Sequence, residues 1–172
     1  AAASGIALVE AFDLIRAGHT QIIAAGGTDA LSAISLRARA ANGTAAPAGE
    51  AAVTLILESA ASAAAREVKP IGRLLGCGLA TTFEDAANAA FEQANLAAAS
   101  LSAIYVNTAA QATAETLFAG KKISTPENLC GDVQGATTAL HLAFALLTEQ
   151  AGPVLILTAE KNTCVALLAS RV

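Results

Sequence analysis

Apolar positions along residues 4–17 recur at spacings dominated by three and four, with Ile6, Val9, Phe12, Leu14 and Ile15 on the recurring face. That spacing predicts a largely buried helix, and Gly18 ends it. Residues 21–25 then read as a short buried strand, Gly26-Gly27 as a sharp turn, and the polar, Gly- and Pro-containing stretch around 42–49 as a surface loop. Residues 53–57 form a strand pattern, and the Ala-rich run 60–66 is a short helical turn leading to Pro70. From Ile71 the pattern predicts a strand to Leu75, a helix over 83–99, a strand at 104–107, a helix near 112–118 and a strand near 122–124. A long apolar helix over 135–150 and strands at 154–158 and 164–169 complete it. Strands alternating with helices of this length predict an α/β layered sheet.

Composition narrows the picture. The 172 residues are 55% hydrophobic, enough for one domain, yet only 3% aromatic, so small side chains must build the core. A net charge of −4 without clustered Lys or Arg excludes nucleic acid as a partner and supplies no polybasic membrane patch. No apolar run approaches the roughly 18–20 residues of a membrane span. Cys77, Cys130 and Cys164 are odd in number and lack zinc or redox spacing, so all three are expected as small buried hydrophobes in a reducing, cytoplasmic setting. The Ala-rich start has no basic leader, and with no methionine in the chain it is either processed or the downstream part of a longer product.

Four stretches carry a more specific pattern. They are the 5–18 helix running into Ala25-Gly26-Gly27, then Gly49-Glu50-Ala51-Ala52-Val53-Thr54-Leu55-Ile56-Leu57-Glu58, Tyr105-Val106-Asn107, and Cys130-Gly131-Asp132-Val133-Gln134-Gly135-Ala136. In this order and at these separations the chain resembles the β-ketoacyl synthases of the thiolase-like superfamily. The resemblance implies an α/β thiolase-like layered fold, with residues 1–172 forming the complete second half plus the last helix and two strands of the first half. Two strands of a five-stranded sheet leave edges and apolar faces uncovered, so the domain is expected to be completed by another polypeptide.

The resemblance also identifies what has been lost. A synthase needs a cysteine at a helix N-terminus, where backbone N–H groups stabilise thiolate and oxyanion; the matching position is Ala1. The first family histidine, in a pattern like Asn-Ala-His-Gly-Thr, is replaced by Ala109. In the Lys-x-x-x-Gly-His pattern, lysine is replaced by Glu127 and the second histidine by Asp132. The two histidines donate hydrogen bonds to a thioester oxygen as negative charge develops, and carboxylates there oppose that charge. The family's closing Gly-Phe-Gly-Gly-Thr-Asn loop is also absent, replaced by Ala159-Glu160-Lys161-Asn162-Thr163. No catalytic residue, cofactor or metal is therefore expected.

Among the remaining polar groups, Ser4 has no paired base, Asp132 is expected as a helix cap, and Glu127 as a solvated side chain. His19 is expected at a surface or interface, and His141 as a satisfied, semi-buried core histidine. Gly26-Gly27 lacks the pattern of a dinucleotide site, and Gly49-Glu50 is expected as a structural turn. The resemblance implies a chain-length-factor-like subunit that pairs with an active β-ketoacyl synthase in fatty-acid, polyketide or aryl-polyene assembly, with an acyl carrier protein as a further partner. The alternatives are an acyl transferase or hydrolase repurposed around Glu127, Asp132 or Ser4, and a stand-alone acyl-binding module.

Overall fold

A computed structural model describes residues 2–41, 43, 47–149 and 152–172. The first helix folds as α1 (Ala3–Arg16), but its buried face is Leu8, Val9 and Ala11, while Ile6 and Leu14 of the expected face are exposed because the helix packs through the side that carries its small residues. It closes where Gly18 adopts φ +75°, letting the His19 N–H reach the Leu14 carbonyl at 2.9 Å. Strand β1 (Ile22–Asp29) follows, then α2 (Ala33–Ala41), β2 (Ala51–Glu58) and α3 (Ala60–Ala65). The Ser59 hydroxyl caps α3 by accepting from the Ser62 N–H.

The second part of the chain runs β3 (Gly72–Ala80), α4 (Phe83–Ala94), β4 (Ala103–Val106), α5 (Gln111–Leu117), β5 (Ile123–Ser124), α6 (Glu127–Cys130), α7 (Thr137–Thr148), β6 (Pro153–Glu160) and β7 (Thr163–Arg171). Helix α4 starts at Thr82, whose hydroxyl accepts from the Asp85 N–H. It ends at Asn95, in the left-handed region at φ 52°, short of the predicted end at residue 99. Neither α2 nor α6 was predicted, because neither carries a helical apolar stripe.

Two sheets result. β1 and β2 form an antiparallel pair, and the other five strands form a mixed sheet in the order β3-β7-β6-β4-β5. Helices α1 and α7 lie between them. One core, with Leu8, Val9, Ala139, Leu142, Ile156, Val165 and Leu167, fills that middle layer. The other, with Ala86, Ala90, Phe91, Ala114, Phe118, Leu155 and Leu168, packs α4 and α5 on the far face of the larger sheet. Small residues permit that approach: a Cβ on Gly78 would run into the Ala86 carbonyl of α4.

Several expectations change. Gly26-Gly27 is not a turn but the middle of β1, paired with Thr54 and Val53. A Cβ on Gly27 would lie 2.5 Å from the Gly135 carbonyl oxygen and 2.7 Å from the Ser4 Cβ, so close approach, not chain reversal, selects glycine. Gly49-Glu50 likewise makes no turn. The Gly49 N–H donates to the Asp132 carbonyl at 3.0 Å, and Ala48 bridges Asp132 in parallel. Of the predicted 42–49 loop, residues 42 and 44–46 lie outside the described residues, as does residue 150 at the end of the predicted long helix.

Candidate functional site

The loops leaving the C-terminal ends of β4 and β6 meet the N-termini of α1 and α7 at one end of the molecule. Asn107, just beyond β4, is buried and ties these elements together. Its Nδ2 donates to the Ala159 carbonyl at 2.9 Å and its Oδ1 accepts from the Ala159 N–H at 3.1 Å. The next residues, Thr108 and Ala109, form a single 3-10 turn at the surface. Ala109 lines an open cavity of about 430 Å³ together with Thr82, Thr113, Leu117, Lys161 and Cys164. Of the positions that the resemblance matched to reactive residues, Ala1 lies outside the described residues.

Glu127 is not solvated. It is 7% exposed, and its Oε2 accepts from the Thr108 N–H at 2.8 Å and from the Thr108 hydroxyl at 2.6 Å. A buried carboxylate is held by such charge-assisted bonds. It fixes the loop beside Ala109, and its engaged oxygen is not free to take a substrate proton. Proline at 126 opens α6 and brings Glu127 back over that loop.

Asp132 is not a helix cap: its Oδ1 accepts from the Gln134 N–H two residues on at 2.9 Å, a local turn ahead of the 3-10 turn, while the N-cap positions of that turn and of α7, Val133 and Ala136, have no side-chain cap. The other oxygen pairs with Arg39 Nη1 of α2 at 3.1 Å. Arg39 is itself buried, so the cation brought by α2 offsets the carboxylate. No sequence signal links Arg39 to Asp132, because they sit on elements that only the fold brings together.

A third carboxylate, Glu160 at the end of β6, accepts from the Ala2 N–H at 3.3 Å at the N-terminal end of α1. Ser4 is buried and its hydroxyl accepts from the Ala139 N–H at 3.2 Å, a backbone group and not a base. This end of the molecule therefore gathers Glu127, Asp132 and Glu160. Among the described residues no three His, Cys, Asp or Glu side chains gather as a metal site.

The remaining candidates separate. His19 is exposed at the end of α1. His141 is not satisfied as expected: it is fully buried on α7, neither ring nitrogen has a hydrogen-bond partner, and burial pushes its pKa down to about 4. Thr137, one turn earlier, is also buried with an unpartnered hydroxyl. Cys77 and Cys164 are buried, but Cys130 is exposed on α6, which corrects the expectation for that residue. Burial pushes all three thiols up, with Glu127 and Asp132 adding to the effect at Cys130, so none is a ready thiolate.

The two sheets with α1 and α7 between them, and α4 and α5 outside the larger sheet, define the thiolase-like fold of β-ketoacyl synthases. A β-ketoacyl synthase from Burkholderia phymatum matches 99% of this chain over 60% of its own, with a TM-score of 0.87 and 20% identity. The ishigamide ketosynthase/chain length factor matches 99% over 59%, with a TM-score of 0.86 and 17% identity. A type II polyketide acyl-carrier protein in complex with its ketosynthase bound to the hexaketide matches at 0.85 and 16% identity, 99% over 61%. The chain thus spans about 60% of the length of the solved structures it matches. No protein-family model and no curated protein matches the sequence. No helix among the described residues is long and apolar enough to cross a membrane.

Proposed function

We propose that the chain is a non-catalytic, chain-length-factor-like subunit that pairs with an active β-ketoacyl synthase in polyketide, fatty-acid or aryl-polyene assembly, and that another polypeptide completes its fold. The observation that carries this reading is the engagement of Glu127 and Asp132. At positions where a synthase needs hydrogen-bond donors, one carboxylate is bound by Thr108 and the other by Arg39 and Gln134, while Ala109 offers only a methyl group. A repurposed hydrolase or transferase would need Ser4, Glu127 or Asp132 free, and each has a structural partner. An acyl carrier protein as a further partner fits the same reading, as does a cytoplasmic setting for three unpaired thiols.

The test is reconstitution with acyl and malonyl thioesters. The chain alone is expected to form no β-ketoacyl product, whereas its addition to an active synthase isolated with it shifts the product-length distribution. Turnover by the chain alone, or an unchanged product distribution, overturns the reading.

A further inference from the structure

Helix α7 is apolar along most of its length, yet it carries Thr137, Thr138, His141 and Thr148. Two of the hydroxyls are satisfied. Thr138 shares a hydrogen bond with the Thr158 hydroxyl of β6 at 2.8 Å, and Thr148 donates back to the Phe144 carbonyl one turn earlier at 2.8 Å. The Thr137 hydroxyl has neither kind of partner. It stands in the first turn of the helix, and the carbonyl four residues before it, at Val133, already accepts from the Ala136 N–H of the preceding 3-10 turn.

Thr137 and His141 are both 0% exposed. Among the described residues, all the buried side-chain nitrogen and oxygen atoms without a protein partner belong to these two: the Thr137 Oγ1 and both ring nitrogens of His141. Burying such groups uncompensated is unfavourable, and a valine and a leucine in their places would avoid it. Their falling together, one turn apart on one helix, points to a shared partner.

Spacing says what that partner can be. Residues four apart lie on one face of a helix, with Cβ atoms about 5–6 Å from each other. A helical side chain leans toward the N-terminus, so the His141 ring is directed over the turn that carries Thr137. One water molecule, with a hydrogen bond of about 2.8 Å on either side, spans a gap of that size. The chemistry agrees. Burial alone governs the ring's protonation, so no charged side chain shares the place, and a neutral imidazole offers one donor and one acceptor nitrogen. A hydroxyl and a neutral ring supply no charge to hold an ion, whereas internal waters are held by polar groups of this kind.

We propose that Thr137 and His141 form an internal water site, in which one ordered water bridges the Thr137 hydroxyl and the nearer imidazole nitrogen and so fixes the tautomer and orientation of the ring. The site is independent of any role in acyl-chain assembly.

Crystallography of the complete protein, at a resolution that orders internal waters, tests it. The expected result is a solvent peak within about 3.2 Å of both Thr137 Oγ1 and a His141 nitrogen. No such peak, or a direct bond from either side chain to a protein atom in its place, overturns the site. Unfolding of substituted chains gives an independent measure. Thr137→Val is expected to lower the folding equilibrium constant about tenfold in the unmodified background, because the water loses a partner and His141 is left unserved. In a His141→Leu background the same substitution should change it less than about threefold, since the bridge is already gone. Equal losses in the two backgrounds overturn a shared water. If a substituted chain does not fold, the solvent peak of the unmodified protein decides.

Discussion

Ile56 and Leu168 both face away from α1 and α7, on the antiparallel strand pairs β1–β2 and β6–β7, yet one is 74% exposed and the other fully buried under α4. The strands differ in keeping with this. β6 reads Val154-Leu155-Ile156-Leu157, apolar on both faces, as expected of a strand covered on both sides. β2 alternates more openly, with Val53, Leu55 and Leu57 inward and Ala52, Thr54 and Ile56 outward. β1 presents Ile22, Ala24 and Thr28 outward, small or isolated groups that tolerate water. The comparison teaches that the β1–β2 pair is poised between two environments. Its inner face belongs to the core shared by α1 and α7, and its outer face is apolar enough to be covered without forcing collapse when it is not.

The largest effect that would test this contrast is at the covered hairpin. Leu168→Ala is expected to lower stability by about 2–5 kcal/mol, because the cavity under α4 cannot close fully; urea unfolding measures it. Next comes the middle layer. The His141 imidazole binds its proton near pH 6.5 in the unfolded chain but only near 4 when buried, so the unfolded state takes up more protons between those values. Stability is fully present above pH 6.5 and declines as the pH falls toward 4, by about 3 kcal/mol from this group. His141→Leu should flatten that part of the pH–stability curve, and an unchanged slope would show that other groups produce it.

A smaller effect is expected at the candidate site. Glu127→Gln keeps the shape but removes the charge that holds two Thr108 donors, and should cost about 1–3 kcal/mol. Faster exchange of the Thr108 amide would accompany the loss, whereas a neutral outcome would mean that the loop is fixed by other contacts. The smallest effect is predicted at Ile56. In the isolated chain Ile56→Ala should change stability by no more than about 0.5 kcal/mol, as for an exposed position. If it costs as much as Leu168→Ala, the two strand pairs are not in different environments and the comparison fails.

Much of this was legible before folding. The helix over 4–17, the runs at 53–57 and 154–157, and Gly18 were read directly, because burial periodicity and left-handed glycine leave a mark on local sequence, although Leu8, the most buried residue of that helix, was not placed on its apolar face. Ala109, Glu127 and Asp132 were legible only as the residues that the resemblance sets at reactive positions. Their partners were not legible. Glu127 looked like a surface acid until α6 turned it onto Thr108, and Asp132 gained Arg39 only when α2 crossed to it.

The sequence by itself determined most of the strands and helices and their order, since these depend on local periodicity, while α2, α6 and the place of Gly26-Gly27 inside β1 left no local mark. Only the tertiary structure decided that Gly27 sits in a strand against Gly135, that His141 is buried without a partner, and that the β6–β7 pair is enclosed while the outward face of β1–β2 is open. These depend on which surfaces long-range packing brings within a few ångströms of each other, and residues adjacent in sequence carry no record of those distances.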